Sequence, residues 1–96
     1  MKILGKWKLY DFGAEYPNAV IPLNRWIASV EEANWKKAAD VQSTWQHSRI
    51  LSKNEILFNI GGNNFRLFAL VVFEEGKVTV DWIKTHKDYD KWNKKR

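Results

Sequence analysis

An apolar run at Phe65–Phe73 constrains this chain more than any other feature. Gly61–Asn63 precedes it and Glu75–Gly76 follows it, and a short apolar run between such turn-forming residues is typical of a β-strand. Alternate residues of a strand face opposite sides, and both sides of this run are largely apolar. This pattern predicts a central strand covered on both faces. Arg66 is the exception, and because an unpaired buried charge is costly, we expect it to have a partner or a ligand.

Two-residue turns would pair this strand with its neighbours in a defined register. A turn at Glu75–Gly76 would place Arg66 opposite Thr85. A turn at Gly62–Asn63 would place Arg66 opposite Asn59 on its other side. A bulge or a longer loop would shift either pairing by one residue. The exact cross-strand partners of Arg66 are therefore less certain than the residues near it. We expect Asn59, Arg66 and the segment 84–87 to lie close together.

Helical patterns dominate the chain upstream of these strands. A first helix is predicted over Leu4–Tyr16, and a clearer one after Pro17, where apolar residues recur at helical spacing: Leu23, Trp26, Ile27 and Val30. The remaining predicted elements are a helical turn at Ala38–Trp45, strands at Ser48–Leu51 and Ile56–Ile60, and a helix from about Asp88. The predicted fold is α+β, a single domain over 1–96 with two N-terminal helices packed on a small, mainly antiparallel twisted sheet and a short C-terminal helix.

The composition limits the chemistry and the expected location of the protein. Hydrophobic residues make up 45% of the chain, which indicates a packed protein instead of a disordered one. The absence of cysteine excludes disulfides, thiol nucleophiles and cysteine-ligated zinc. No apolar run is long enough to span a membrane, and the N-terminus lacks the apolar segment of a signal peptide, so the cytoplasm is the expected location.

The formal net charge is +5, and the cations are concentrated near the C-terminus. Between Lys84 and Arg96 the acidic residues are Asp88 and Asp90, and the cations are Lys84, Lys87, Lys91, Lys94, Lys95 and Arg96. An anionic partner such as nucleic acid would suit this surface. A solvated tail that aids solubility explains the charge equally well.

No familiar catalytic or metal-binding pattern is present, so neither a metal nor a cofactor is expected. His47 lies in a predicted loop and is expected to take no part, and Gly61–Gly62 does not precede a helix as a phosphate-binding glycine loop would. Arg66, His86 and Tyr89 remain, with several lysines. Arginine can bind phosphate through two hydrogen bonds and histidine exchanges protons near neutral pH, which suits metal-free cleavage of RNA. A base would take the proton of the ribose 2′-hydroxyl, the oxygen would attack the adjacent phosphate, and an acid would protonate the 5′ leaving oxygen.

The region from Leu57 to Asp90 resembles the HigB family of bacterial type II toxin–antitoxin systems, within the broader RelE-like group. The resemblance is carried by the motifs FNIGGNNFRL and THKDYD. It implies a ribosome-associated mRNA endonuclease that a helix-turn-helix antitoxin of HigA type holds inactive. By position, Arg66, His86 and Tyr89 match the arginine, histidine and tyrosine of the family and are the predicted catalytic residues. The predicted RNA-binding residues are Asn59, Lys84, Lys87 and Lys91.

Each predicted catalytic residue also has a structural alternative. Arg66 could form an ion pair with Asp88 or Asp90, His86 could cap or pack at a strand–helix junction, and Tyr89 could be a core aromatic residue. Trp26 and Trp82 are expected in the core, whereas the tryptophans that could contact the antitoxin or stack on RNA are Trp7, Trp35, Trp45 and Trp92. For the whole chain, the alternative is a non-catalytic basic module of toxin-like fold that binds nucleic acid or protein.

Overall fold

The computed structural model describes residues 1–94, so Lys95 and Arg96 of the predicted basic tail lie outside the described residues. The helices are α1 (Lys6–Glu15), α2 (Val20–Glu32), α3 (Ala38–Thr44) and α4 (His86–Lys94), with short 3-10 turns at Pro17–Ala19 and Phe73–Glu75. The strands are β1 (Lys2–Leu4), β2 (Ser48–Ile50), β3 (Glu55–Ile60), β4 (Phe65–Val72) and β5 (Lys77–Thr85). None of the helices described is long and apolar enough to cross a membrane.

The five strands form one sheet in the order β1-β5-β4-β3-β2. Every neighbouring pair is antiparallel except β1 and β5, which are parallel. The predicted α+β class is confirmed, and β4, the apolar run, is the central strand.

The main core lies between one sheet face and helices α1 and α2. Helix α2 buries the four residues that the helical spacing indicates: Leu23, Trp26, Ile27 and Val30. Trp26 packs edge-on against Phe58 of β3, with ring centroids 5.3 Å apart. Full burial of one such large apolar side chain contributes about 1.5–3 kcal/mol, so this face holds most of the stability. The alternate residues of β4, from Phe65 to Val71, belong to the same core.

The N-terminal prediction is wrong in its first residues, because a strand precedes the helix. Residues Lys2–Leu4 pair with Lys77–Thr79 of β5, and the chain then turns into α1 at Gly5, where φ is +89°. A side chain at Gly5 would be strained at this φ, and its Cβ would lie 3.2 Å from the Val80 carbonyl oxygen. At three residues, β1 is too short to show a periodic pattern, and it forms only because β5 offers it an edge.

Strand β4 pairs with β3 as predicted, with Asn59 opposite Arg66. On its other side the prediction is wrong by one residue, because Arg66 lies opposite Lys84 and not Thr85. Two irregularities account for the shift. The connection to β5 is a 3-10 turn followed by a glycine and is longer than a two-residue turn, and a β-bulge interrupts the register between Phe68 and Ala69.

The second sheet face is covered only in part, by α4, which begins at His86 instead of near Asp88. A small cluster forms there from Leu57, Phe68 and Tyr89, with Trp82 and Trp92 packed against it. Leu70, on the same face of β4, is 39% exposed, so the predicted cover on both faces holds at one end of the strand only.

The tryptophans divide differently from the prediction. Trp26 is buried as expected, and Trp82 is half-buried at the edge of the small cluster. Trp35 is only 2% exposed and its indole N–H donates to the Thr44 hydroxyl at 2.9 Å, so it belongs to the core and offers no surface to a partner. Trp7 is 63% exposed and Trp45 is half-buried.

Candidate active site

Three neighbouring strands place polar side chains side by side on the sheet face that α1 and α2 leave free. Asn59 of β3 lies opposite Arg66 of β4, which lies opposite Lys84 of β5. Directly opposed residues project from the same face of a sheet, so these side chains share one surface. The neighbourhood expected from the turns is therefore present, with a lysine next to Arg66 in place of Thr85.

Arg66 is the only charged residue that is buried within the described chain, at 7% exposure. Its Nη1 donates to the backbone oxygens of Asn63 and Phe65 at 3.2 and 3.1 Å, and its Nη2 donates to the Asn63 side-chain oxygen. No carboxylate within residues 1–94 forms an ion pair with it, so a bridge to Asp88 or Asp90 is not observed. The guanidinium is held in place by neutral oxygens and keeps an unbalanced positive charge, which favours a bound anion.

His86 lies beside Arg66 at the start of α4. The imidazole Nδ1 is 3.4 Å from Arg66 Nη2, and Nε2 is 3.5 Å from a carboxylate oxygen of Asp90, one helical turn away. Because a guanidinium can only donate hydrogen bonds, the first contact requires an unprotonated Nδ1. In the tautomer that allows this contact, the Nε2 N–H faces the Asp90 carboxylate, and about half of the His86 side chain is exposed.

The aromatic ring of Tyr89 packs against the Arg66 guanidinium. The centre of its ring is 5.5 Å from the guanidinium carbon, close enough for a cation–π contact, and the ring packs beside Trp82 and Trp92. The tyrosine hydroxyl forms no hydrogen bond with any other described residue. The ring therefore has a packing role, and the hydroxyl is free to contact a ligand.

Asn59, Arg66 and Tyr89 line a cleft of about 420 Å³, whereas His86 and Lys84 are not part of its lining. The cleft is lined by Gln46, His47, Ser48, Arg49, Leu57, Asn59, Arg66 and Tyr89. Its basic residues come from two different strands and the loop between α3 and β2, so the positive charge is not confined to the C-terminal part of the chain. The cleft is open to solvent and can admit an extended anionic chain.

His47 and Arg49 line this cleft, although the sequence prediction assigned His47 no role. The backbone oxygen of His47 accepts a hydrogen bond from the Asn59 N–H at 2.9 Å, and Arg49 pairs with Leu57 in the sheet. Alternation along β2 and β3 places residues 47 and 49 on the same face as residues 57 and 59. The same alternation can be read from the sequence. Extension of the predicted strand Ser48–Leu51 back to residue 47 places His47 and Arg49 on one face.

The loop before β2 is fixed against β3 by hydrogen bonds. Trp45 ends α3, where its backbone N–H donates to the Val41 oxygen at 2.8 Å. Its indole N–H donates to the Asn59 backbone oxygen at 2.9 Å, and the Ser48 hydroxyl donates to the Trp45 oxygen at 2.8 Å. The side chains that follow Trp45 therefore project from a rigid backbone.

The predicted RNA-binding residues do not all reach the cleft. Asn59 lines it, and Lys84 lies next to Arg66 in the register with its ammonium 4.8 Å from the centre of the Trp82 ring. Lys87 and Lys91 are exposed on α4 and do not line the cleft. Nowhere in residues 1–94 do three or more histidine, aspartate or glutamate side chains gather in a way that could hold a metal ion.

The sequence profile of the HigB toxin family, described as the RelE-like toxic component of a toxin–antitoxin system, matches residues 19–92. This match covers most of the chain and includes every predicted site residue. The chain belongs to the HigB toxin family. A toxin–antitoxin system includes an antitoxin, so the predicted class of protein partner agrees with the family.

Curated HigB proteins are similar to this chain over almost its full length. The mRNA interferase toxin HigB of Escherichia coli K12 is 28% identical over 93 residues, which cover 94% of this chain and 88% of the relative. The mRNA interferase HigB of Shigella flexneri gives the same values. The mRNA interferase HigB of Escherichia coli O6:H1 strain CFT073 is 24% identical over 93 residues, covering 95% of this chain and 90% of the relative. The names of these HigB proteins agree with the endoribonuclease predicted from the sequence.

Proposed function

We propose that this HigB-family toxin is an endoribonuclease that cuts mRNA without a metal ion, by attack of a ribose 2′-hydroxyl on the adjacent phosphate. The observation that carries the proposal is the buried Arg66 guanidinium, which lines an open cleft and has no carboxylate partner in the described chain. The names of the curated relatives support the same activity and substrate.

The cleft has the charge that a phosphodiester chain requires. A guanidinium binds two phosphate oxygens at once through parallel N–H groups, and Arg66 is already oriented by two backbone oxygens. Arg49 and Lys84 add positive charge on the same sheet face, where they would stabilise the charge that develops on the phosphate oxygens during attack.

His86 is the proposed base. Its contact with Arg66 is long, at 3.4 Å, and a phosphate that occupied the guanidinium would replace it and leave Nδ1 free beside the ribose. Nδ1 would then take the proton of the 2′-hydroxyl, and Asp90 at Nε2 would stabilise the resulting imidazolium. The 2′-oxygen forms a bond to phosphorus, and the bond to the 5′-oxygen breaks.

The 5′-oxygen leaves with a proton that the Tyr89 hydroxyl supplies in this proposal. That hydroxyl belongs to a residue of the cleft lining and has no hydrogen-bond partner in residues 1–94. The products are a 2′,3′-cyclic phosphate and a 5′-hydroxyl end, so no water enters the first step. The Arg66 guanidinium, 5.5 Å from the centre of the Tyr89 ring, would stabilise the negative charge that the oxygen gains during the transfer.

The same proposal specifies the substrate, the cellular location and the antitoxin. The substrate is mRNA on the ribosome in the cytoplasm, and the exposed lysines of α4, Lys87 and Lys91, are the proposed contacts with the surrounding RNA. The proposed antitoxin is a helix-turn-helix protein of HigA type.

Induction of the chain alone in bacteria, followed by mapping of transcript ends, tests the proposal. We expect growth arrest and new 5′-hydroxyl ends within coding sequences, and the loss of both in His86→Ala. Lys36→Ala, an exposed cation outside the cleft lining, serves as the control and should behave as wild type. Purified protein with mRNA, with and without ribosomes and with and without EDTA, tests the ribosome and metal parts separately. Binding of RNA that weakens with salt but never leads to cut ends would instead support the non-catalytic module.

A further inference from the structure

A second cavity of about 320 Å³ adjoins the cleft and shares part of its lining. It opens on the side of α2, between that helix, the loop after α3 and the turn between β3 and β4. Gln46, His47 and Asn59 line both cavities, so a chain bound in the cleft can continue directly into the second cavity. None of the predicted catalytic residues lines this second cavity.

The walls of this cavity combine a fixed aromatic ring with two polar side chains that have no partner among the described residues. The Trp45 indole is held by its hydrogen bond to the Asn59 oxygen at 2.9 Å, and Pro22 and Gly61 provide flat surfaces without long side chains. The side chains of Arg25 and Gln46 form no hydrogen bond or ion pair with any residue from 1 to 94. The indole can stack on a planar group, while the amide and the guanidinium can read its edge.

We propose that this cavity holds an unpaired base of the RNA, next to the nucleotide whose phosphate lies at Arg66. Unstacked bases of single-stranded RNA are recognised by aromatic stacking together with hydrogen bonds from side chains to the base edges. An indole ring, a carboxamide and a guanidinium supply both kinds of contact. The proposal rests on the proposed endonuclease function and adds to it the residues that choose the cutting position: Trp45 for stacking, and Arg25 and Gln46 for base identity.

The first arm of the test uses short 2′-O-methyl oligoribonucleotides, which cannot be cut because the attacking hydroxyl is blocked. Each position in turn is made abasic or varied among the four bases, and affinity is measured by fluorescence anisotropy. For the wild-type protein we expect one position at which removal of the base weakens binding about tenfold, the effect of losing one stacked base. At that position the four bases should differ by about three- to tenfold, as one or two hydrogen bonds would give.

The joint variant Arg25→Ala, Gln46→Ala should reduce the difference among bases at that position to below about twofold, because the groups that read the edge are removed. The stacking effect of the base should remain. The matched control is Asn24→Ala, Lys36→Ala, which removes one exposed amide and one exposed cation that line neither cavity. This control should retain the wild-type base preference.

The second arm maps transcript ends in bacteria that produce each variant. We expect the base frequencies at one fixed distance from the cut to be uneven for wild type and more even for the joint variant. If abasic changes are without effect at every position, or if the joint variant keeps the wild-type preference, the base site is refuted while the nuclease proposal stands. If base-dependent binding is lost in the joint variant but wild type yields no cut transcripts, the base site is supported and the nuclease proposal fails.

Discussion

Replacement of Arg66 tests whether its guanidinium acts in the reaction or holds the fold in place. Arg66→Gln removes the charge and the paired N–H groups while keeping a polar side chain, and Arg66→Lys keeps the charge without the paired N–H groups. Asn63→Ala is the matched control, because it removes a hydrogen bond of the guanidinium but leaves the arginine in the cleft.

The expected stability loss is small compared with the loss of activity. The guanidinium makes two hydrogen bonds to backbone oxygens, one to the Asn63 side chain and a cation–π contact with Tyr89. At about 1 kcal/mol for each hydrogen bond and about 0.5–1 kcal/mol for the ring contact, these interactions contribute about 3–4 kcal/mol. Removal of a buried charge also recovers part of its desolvation cost, so we expect a net loss of about 1–2 kcal/mol.

A loss of this size lowers the melting temperature by about 5–10 °C for a chain of this length. It leaves nearly all molecules folded at 25 °C, since domains are stable by about 5–15 kcal/mol. Loss of a transition-state donor, in contrast, slows the reaction by about 10²–10³-fold. A cleavage assay at 25 °C with a defined mRNA, together with thermal unfolding followed by circular dichroism, therefore distinguishes the two effects.

The outcome that would refute the reasoning is specific. If Arg66→Gln cuts within about fivefold of wild type at 25 °C, the guanidinium does not stabilise the reacting phosphate. If Asn63→Ala, with its arginine intact, loses as much cutting as Arg66→Gln, the effect of Arg66 is to hold the turn in shape. Arg66→Lys should fall between wild type and Arg66→Gln, because it retains the charge alone.

Four further changes test the site and the core. His86→Ala should slow cutting by about 10²–10⁴-fold and leave the melting temperature within about 2 °C, because the side chain is half exposed; a marked loss of stability would assign it a structural role. Tyr89→Phe should leave stability nearly unchanged and slow cutting, whereas unchanged cutting would show that the ring alone matters. Lys84→Ala should reduce the salt dependence of RNA binding by about one ion, and an unchanged slope of affinity against salt would place it outside the interface. Phe58→Ala should lower the free energy of unfolding by about 3–5 kcal/mol in urea titrations, and a loss below about 1 kcal/mol would contradict its place in the core.

The sequence was most informative where structure depends on residues that are close along the chain. Turn-forming residues bound β4 on both sides, and the β3–β4 register follows from a turn of two residues, so the pairing of Asn59 with Arg66 could be predicted. The buried face of α2 was equally predictable, because helical spacing is a property of one short segment. The family could be inferred from two motifs that lie between Phe58 and Asp90.

Predictions failed where a pairing or a contact joined distant segments. The strand Lys2–Leu4 depends on an edge of β5 that lies more than 70 residues away, and no pattern within three residues announces it. The bulge between Phe68 and Ala69 moved Lys84 beside Arg66, and a bulge reflects the twist of the whole sheet as well as its local sequence. The Arg66–His86 contact was expected in outline, but the ring contact of Tyr89 with the guanidinium was not.

The sequence by itself determined that a lone cation would be buried near the start of a central strand, because that follows from alternation and from the turns beside it. Only the tertiary structure decided what surrounds that cation. Sheet pairing brought Arg49 of β2 and His47, just before that strand, to the same face. Helix α4 placed an imidazole and an aromatic ring against the cation, and no acidic residue of the described chain forms an ion pair with it. The spacing of apolar residues predicts which face of a helix or strand a side chain occupies. The neighbours of that side chain depend instead on how the helices and strands pack together.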